Sequence, residues 1–228
     1  MRVEIWSDVV CPWCYIGKRR IEAALARFSH ADEVELIWRS FELDPAAPAV
    51  HEVGNVERLA RKYGVSTEQA EAMLHRMTSV AEGEDLQFRL DIAKPGNTFD
   101  AHRLLHLASE RGVQDDLKEA LLAAYQTEGE SISSHEVLTK RAVGVGLAEA
   151  EVREVLDGDR YGAEVRRDEA EAHELGVSGV PFFVIDRRYA VSGAQDSDVL
   201  LEVLERAWSE RTPLEVIPGD ACGIEGCE

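Results

Sequence analysis

The chain has 228 residues, with 44 acidic against 25 basic side chains and a formal net charge of -19. This charge argues against nucleic acid or an anionic membrane as a main partner, since both repel it. A hydrophobic fraction of 45% suffices for a core, and no apolar run approaches the roughly 20 residues of a membrane span. No cationic and apolar leader precedes the first strand signal, so we expect a cytoplasmic protein.

The first predicted strand leads directly into a pair of cysteines. Residues 2–6 alternate in the manner of a strand, and apolar residues from Ile21 to Phe28 recur at helical spacing. Cys11-Pro12-Trp13-Cys14 therefore lies at the junction between the first predicted strand and the helix that follows it. A second strand within 33–43 completes a β-α-β unit, which predicts two parallel strands joined by a right-handed crossover.

The position of the cysteine pair predicts redox chemistry. Pro12 suits the first position of a helix, which makes Cys11 the N-cap residue, next to unpaired backbone N–H groups and the positive end of the helix dipole. Such surroundings lower a cysteine pKa from ~8.5 to roughly 3.5–7.5. Cys14 follows one turn later on the same face. We therefore expect Cys11 to be the exposed nucleophile and Cys14 the more buried resolving thiol.

The rest of the chain is helical in the middle, and strand signals return late. Helical patterns fill about 55–156, with capping boxes at Ser66–Gln69 and Ser133–Glu136. Another helix ends at Gly176, and a β-hairpin follows over residues 179–191 before a final amphipathic helix. The order β-α-β, helical block, α-β-β-α predicts an α/β fold with one mixed sheet split by a helical insertion.

Several of these features together resemble the DsbA-like branch of the thioredoxin superfamily. They are the Cys-Pro-Trp-Cys pair, the helical block and the Val180-Pro181 turn before the third strand. The stretches 7–14, 97–103 and 176–183 are most similar to its FrnE-like subgroup. The resemblance covers about residues 1–207. It implies a thioredoxin-like domain formed by residues 1–44 and 160–211, an inserted helical domain at 45–159 and a cysteine-containing tail at 212–228.

The same resemblance implies a thiol–disulfide oxidoreductase or isomerase that needs no cofactor. Its substrates would be thiol or disulfide proteins, with thioredoxin or glutathione as an electron partner. Pro181 would be cis beside the thiols, and the backbone of Val180 would hold a substrate strand. Trp13 lies between the two cysteines and cannot be buried fully there, so we expect it to contact an apolar peptide, with Pro12 beside it; His102 would be a further substrate contact through the resemblance. Because histidine is absent between the cysteines, we expect a less oxidising pair than in periplasmic members of the family.

Other interpretations of the cysteines and histidines stay open. Cys222 and Cys227 in the tail are either an accessory redox pair that exchanges electrons with Cys11 and Cys14, or merely an exposed pair. The four cysteines could also bind zinc, although the spacing fits loosely. Kappa-type glutathione transferases and 2-hydroxychromene-2-carboxylate isomerases resemble this chain but usually carry serine where Cys11 stands. His102 and His106 have metal-ligand spacing, yet we favour ordinary helical histidines and expect no metal. Asp8 is either a proton buffer for Cys14 or a loop cap.

Overall fold

The computed structural model describes residues 1–50, 53–211, 222–223 and 226–227. Its main sheet contains β1 (Arg2–Ser7), β2 (Glu35–Ser40), β3 (Phe182–Ile185) and β4 (Tyr189–Ser192), in the order β2-β1-β3-β4. β1 and β2 run parallel, and β3 is antiparallel to both β1 and β4. This topology confirms the predicted parallel β-α-β unit, the late hairpin and the mixed sheet.

The helices fall into those that flank the sheet and those that form the insertion. α1 (Pro12–Leu25) connects β1 to β2, with a short 3-10 helix (Ala31–Glu33) before β2. The insertion contains α2 (Asn55–Tyr63), α3 (Thr67–Glu82), α4 (Phe99–Glu110), α5 (Gln114–Gln126), α6 (His135–Gly144) and α7 (Glu149–Asp157). α8 (Gly162–Glu174) precedes β3, and α9 (Ser197–Ser209) follows β4.

Local signals place most helix starts correctly, with one slip. Ser66 and Gln69 form the predicted capping box of α3. The start of α6 is capped by Ser134, whose Oγ accepts from the Val137 N–H, rather than by the predicted Ser133–Glu136 box. Ser133 lies one residue before the N-cap, and its hydroxyl instead donates to the backbone carbonyl of Asn97 at 2.7 Å.

β1 is buried on both faces, so the segment that leads to the cysteines starts in the protein interior. Val3 and Ile5 point towards α1 and α9, in a core that also contains Leu204. Trp6 points to the opposite face, where it packs with Ala172 of α8, as the two-residue period of a strand requires. The chain therefore leaves β1 from the protein interior, and the residues that follow it meet the insertion.

The insertion has its own apolar core, built mainly from α4, α5, α6 and α7. No helix in the described ranges is long and apolar enough to cross a membrane. In the tail, the backbone of 222–223 pairs antiparallel with that of 226–227, which puts residue 222 opposite residue 227. The side chains of Cys222 and Cys227 lie outside the described part of the chain.

Candidate active site around Cys11 and Cys14

Cys11 and Cys14 both belong to the first turn of α1. Cys11 is the N-cap residue with extended backbone angles (φ -84°, ψ 117°), and Pro12 follows at the first helical position. The Cys14 N–H donates to the Cys11 carbonyl at 3.1 Å, and the Cys11 N–H donates to the Asp8 carbonyl at 3.3 Å. Cys11 is 5% exposed and Cys14 is fully buried. The expectation of an exposed Cys11 is therefore wrong, although Cys11 is the less buried of the two thiols.

The turn before β3 lies directly beside Cys11. The Val180-Pro181 peptide bond is cis, and the Cys11 thiol lies 3.5 Å from the Val180 carbonyl, to which it can donate. Gly17 in α1 makes this approach possible, since a Cβ at that position would lie 2.8 Å from Cγ of Pro181. The structure therefore brings together the cysteine pair and the Val180-Pro181 turn, which are far apart in sequence.

Trp13 lies on the open side of the pair. It is 40% exposed, far more than either cysteine. Its ring shares a shallow, mainly apolar surface depression with Met73, Met77 and Val80 of α3, and Arg76 stands at its border.

Asp8 and His102 lie beneath the pair. Asp8 is 1% exposed, its Oδ2 accepts from the Leu43 N–H at 2.8 Å, and its Oδ1 is 3.3 Å from Nε2 of His102. The bond to Leu43 is that of a loop cap, and the proton-buffer interpretation of Asp8 stays a prediction. The placement of His102 among substrate contacts needs correction, because its ring is fully buried and has no surface to offer a substrate.

This arrangement matches a known family over nearly the whole chain. The model of the DsbA-like thioredoxin domain matches residues 2–205. The chain belongs to this family. The predicted DsbA-like resemblance and the α/β fold with an inserted helical block are thereby confirmed.

Individual proteins and solved structures are also similar to this chain. The chain is 49% identical to a probable DsbA oxidoreductase, SCO1869 from Streptomyces coelicolor, with a TM-score of 0.93 over 100% of this chain and 98% of the other. It is 26% identical to the uncharacterized protein YwbO of Bacillus subtilis (strain 168), over 87% of this chain and 93% of YwbO. The cytosolic disulfide reductase DsbM from Pseudomonas aeruginosa shares the fold at 17% identity, with a TM-score of 0.61 over 90% and 99% of the two chains.

In this DsbA-like site the two thiols are hydrogen-bonded to each other, and their pKa values shift in opposite directions. Burial raises the pKa of Cys14, but the hydrogen bond with Cys11 and the charge of Lys118 outweigh it, so this pKa lies below its ordinary value. The hydrogen bond with Cys14 and burial raise the pKa of Cys11. The pair therefore loses its first proton readily and its second with difficulty. The N-cap position predicts a lowered pKa for Cys11; that prediction is wrong, because the hydrogen bond with Cys14 and burial raise the pKa of Cys11, and the lowered pKa is that of Cys14.

The sequence analysis missed one ionisable residue of this site, Lys118 on α5. Its side chain is fully buried, and its Nζ lies 3.5 Å from the Ser7 carbonyl and 5.3 Å from the ring centre of Trp38. Burial lowers the pKa of Lys118 to about 8, against the opposing effect of Cys14 and Asp8. A lysine amid a helical pattern carries no local signal of burial, so only the fold reveals it.

The histidine pair does not form a metal site among the described residues. His106 Nε2 lies 3.2 Å from both the Ser40 hydroxyl and Oδ2 of Asp168, while His102 faces Asp8. The two rings thus have separate partners. Within the described ranges there is no group of three or more His, Cys, Asp or Glu residues that could hold a metal ion. A four-cysteine zinc site would need Cys222 and Cys227, which lie outside that search.

Proposed function

We propose that this protein is a cytoplasmic thiol–disulfide oxidoreductase that exchanges disulfides with protein substrates through Cys11 and Cys14. The observation that carries the proposal is the seating of Cys11 at the N-cap of α1, in contact with the Val180 carbonyl and one turn before a buried second thiol. Membership of the DsbA-like thioredoxin family supports the same chemistry.

The exchange follows from the positions of the two sulfurs. The Cys11 thiolate attacks a substrate disulfide, so that a Cys11–substrate bond forms and one substrate sulfur leaves as a thiolate that takes up a proton. The Cys14 thiolate then attacks Sγ of Cys11, which forms the Cys11–Cys14 disulfide and releases the second substrate sulfur. The substrate gains two electrons and the protein loses two. Run in reverse, the same steps oxidise a dithiol, and in sequence they isomerise a disulfide.

The surroundings of Cys11 favour an extended peptide over a small disulfide. A substrate strand would lie along Val180 and Pro181, next to the only slightly exposed sulfur. Pro12 and Trp13 would contact the neighbouring substrate residues. The depression between Trp13 and α3 would cover an apolar side chain of the substrate, and such burial contributes roughly 25 cal/mol per Å².

An electron partner must return the Cys11–Cys14 pair to its starting state. We propose thioredoxin or glutathione for this role. DsbM, which shares the fold, has been solved with GSH, which makes glutathione the first candidate to test. Cys222 and Cys227 are a second candidate, as an accessory pair that exchanges electrons with Cys11 and Cys14. The proposal involves no cofactor and no metal.

Two cysteine variants test the proposal directly. Cys11→Ser should abolish insulin reduction and oxidative refolding of a reduced protein, because no nucleophile then reaches the substrate. Cys14→Ser should accumulate mixed disulfides at Cys11, visible by mass spectrometry, because the resolving thiol is missing. Full activity in Cys11→Ser would overturn the proposal and favour a kappa-type glutathione transferase or isomerase activity instead.

The double variant Cys222→Ser/Cys227→Ser is the control for the tail. It leaves Cys11 and Cys14 intact, so the first half-reaction should keep its rate. A fall in steady-state turnover alone would assign the tail cysteines to the return of electrons. Unchanged turnover would remove them from the cycle. Metal analysis of protein purified without chelator tests the four-cysteine zinc alternative in the same preparation.

A further inference from the structure

Two buried lysines lie near the cysteine pair, and only one of them is matched by carboxylates. Lys18 is 3% exposed and is ion-paired with Glu22, with Asp115 at 3.0 Å and with Glu119 at 3.3 Å. These partners account for its burial, since an ammonium can leave water when anions surround it.

Lys118 is buried more completely and has no such set of partners. Within the described residues, its Nζ contacts the carbonyl of Ser7 at 3.5 Å and the face of Trp38, and no ion pair within 4.0 Å includes it. The ionisable groups that act on it are Cys14 first, then Asp8 and Cys11, with Lys18 opposing them. A buried cation without a carboxylate in contact needs negative charge nearby. Two buried groups supply it here, the thiolate of the cysteine pair first and the Asp8 carboxylate second.

We propose that Lys118 is a positioning residue of the redox pair, whose buried ammonium holds Cys14 in the thiolate form that resolves the mixed disulfide at Cys11. This inference rests on the proposed function. It also gives the insertion a chemical role, because α5 carries the cation while α1 carries both thiols.

The role belongs to the second step of the exchange. Once Cys11 is bonded to a substrate sulfur, its thiol no longer donates to Cys14, and the Cys14 proton must leave before Cys14 can attack. Lys118 is then the remaining buried cation that favours the Cys14 thiolate. The attack forms the Cys11–Cys14 bond, breaks the Cys11–substrate bond and sends the electron pair to the departing substrate sulfur, which takes up a proton from solvent.

The test uses the full chain in the Cys11→Ser background, where Cys14 is the remaining thiol of the pair. Cys14 ionisation is followed by thiolate absorbance near 240 nm against pH, with Cys222→Ser and Cys227→Ser added to remove other thiols. Adding Lys118→Met should lower the thiolate fraction about tenfold or more at a fixed pH below the transition, because a nearby opposite charge is lost. This readout needs no substrate, so it separates failure of this inference from failure of the proposed function.

Three further variants separate charge from packing. Lys118→Gln keeps a donor for the Ser7 carbonyl but no charge and should behave like Lys118→Met. Lys118→Arg keeps the charge and should retain the thiolate. Lys140→Met removes a positive charge that is 64% exposed on α6 and should leave the titration unchanged. Near-UV circular dichroism confirms that each variant is folded, and Lys118→Gln replaces Lys118→Met if the latter does not fold.

The outcomes decide the inference. A lost thiolate in both neutral variants, kept in Lys118→Arg, supports it. An unchanged Cys14 titration in folded Lys118→Met overturns the inference. An unchanged titration in Lys118→Gln also overturns it, because the hydrogen bond to the Ser7 carbonyl would then keep the thiolate without a charge. In otherwise native protein, Lys118→Gln should also slow release of product from the mixed disulfide about tenfold at neutral pH, with a smaller deficit at high pH.

Discussion

Gly17→Ala tests whether the seating of Pro181 against α1 matters for both stability and activity. The added Cβ would lie 2.8 Å from Cγ and 3.4 Å from Cβ of Pro181, and 3.4 Å from Cζ of Phe183. Inserting a methyl group into such packing costs about 1–3 kcal/mol, while replacing glycine by alanine inside a helix returns about 1 kcal/mol. We therefore expect a net loss of up to about 2 kcal/mol in the free energy of unfolding.

The same clash should reduce activity, because Pro181 shares a peptide bond with Val180, whose carbonyl lies 3.5 Å from the Cys11 sulfur. A displacement of this turn misplaces the substrate strand, and we expect kcat/KM for insulin reduction to fall about tenfold. Urea unfolding and the insulin assay measure the two effects. Gly144→Ala is the matched control, since Gly144 ends α6 with nothing within 4 Å of its would-be Cβ, and it should stabilise by up to about 1 kcal/mol. A Gly17→Ala protein as stable and as active as the wild type would refute the packing argument.

Three further substitutions probe the surroundings of the pair. Trp13→Ala should slow reduction of protein disulfides several-fold and leave that of small disulfides unchanged; an equal loss for both would argue against a peptide contact. Asp8→Asn should cost about 1–3 kcal/mol near pH 6, because Leu43 and His102 lose a charged partner. Burial raises the pKa of Asp8, but its hydrogen-bond and charge partners outweigh burial, so the folded-state pKa lies below the ordinary value. The stabilisation by Asp8 is therefore present above pH 4 and is lost as pH falls through the folded pKa. Urea unfolding at pH 3 should show a smaller stability difference between wild type and Asp8→Asn, and a difference that is the same at both pH values would contradict this. Glu42, next to Leu43, is buried and ion-paired with Arg166 of α8. Burial raises the pKa of Glu42 to about 7, so wild-type stability should decline relative to Glu42→Gln as pH rises from 4.5 through 7; parallel curves would be the contrary result.

Local rules predict the part of the site that is local in sequence. Pro12 marks the start of α1, which makes Cys11 the N-cap residue, and this needs only the first turn of one helix. The strand alternation likewise predicts the pairing of β1 with β2 and the late hairpin. The turn of that hairpin places Asp186 and Arg187 at positive φ, a feature that no glycine in the turn announces.

The remainder depends on tertiary contacts that no local pattern contains. Lys118 and Ser7 are 111 residues apart, and only the packing of α5 against β2 and α1 brings them together. α4 packs against α5, α7, α8 and β2. Residues 101–105 are therefore buried on every side of the helix, and His102 is buried with them. An amphipathic pattern assumes one open face, so it does not reveal a helix that is covered on every side.

The central claim is that Cys11 and Cys14 form a two-electron redox pair. Equilibrating the protein with glutathione buffers of known ratio, then trapping free thiols and mapping them by mass spectrometry, measures the Cys11–Cys14 disulfide directly. We expect one two-electron transition, with a reduction potential below the ~ -120 mV of DsbA because no histidine stands between the cysteines. The Cys222→Ser/Cys227→Ser variant should show the same transition. Absence of a Cys11–Cys14 disulfide at every glutathione ratio would contradict the account.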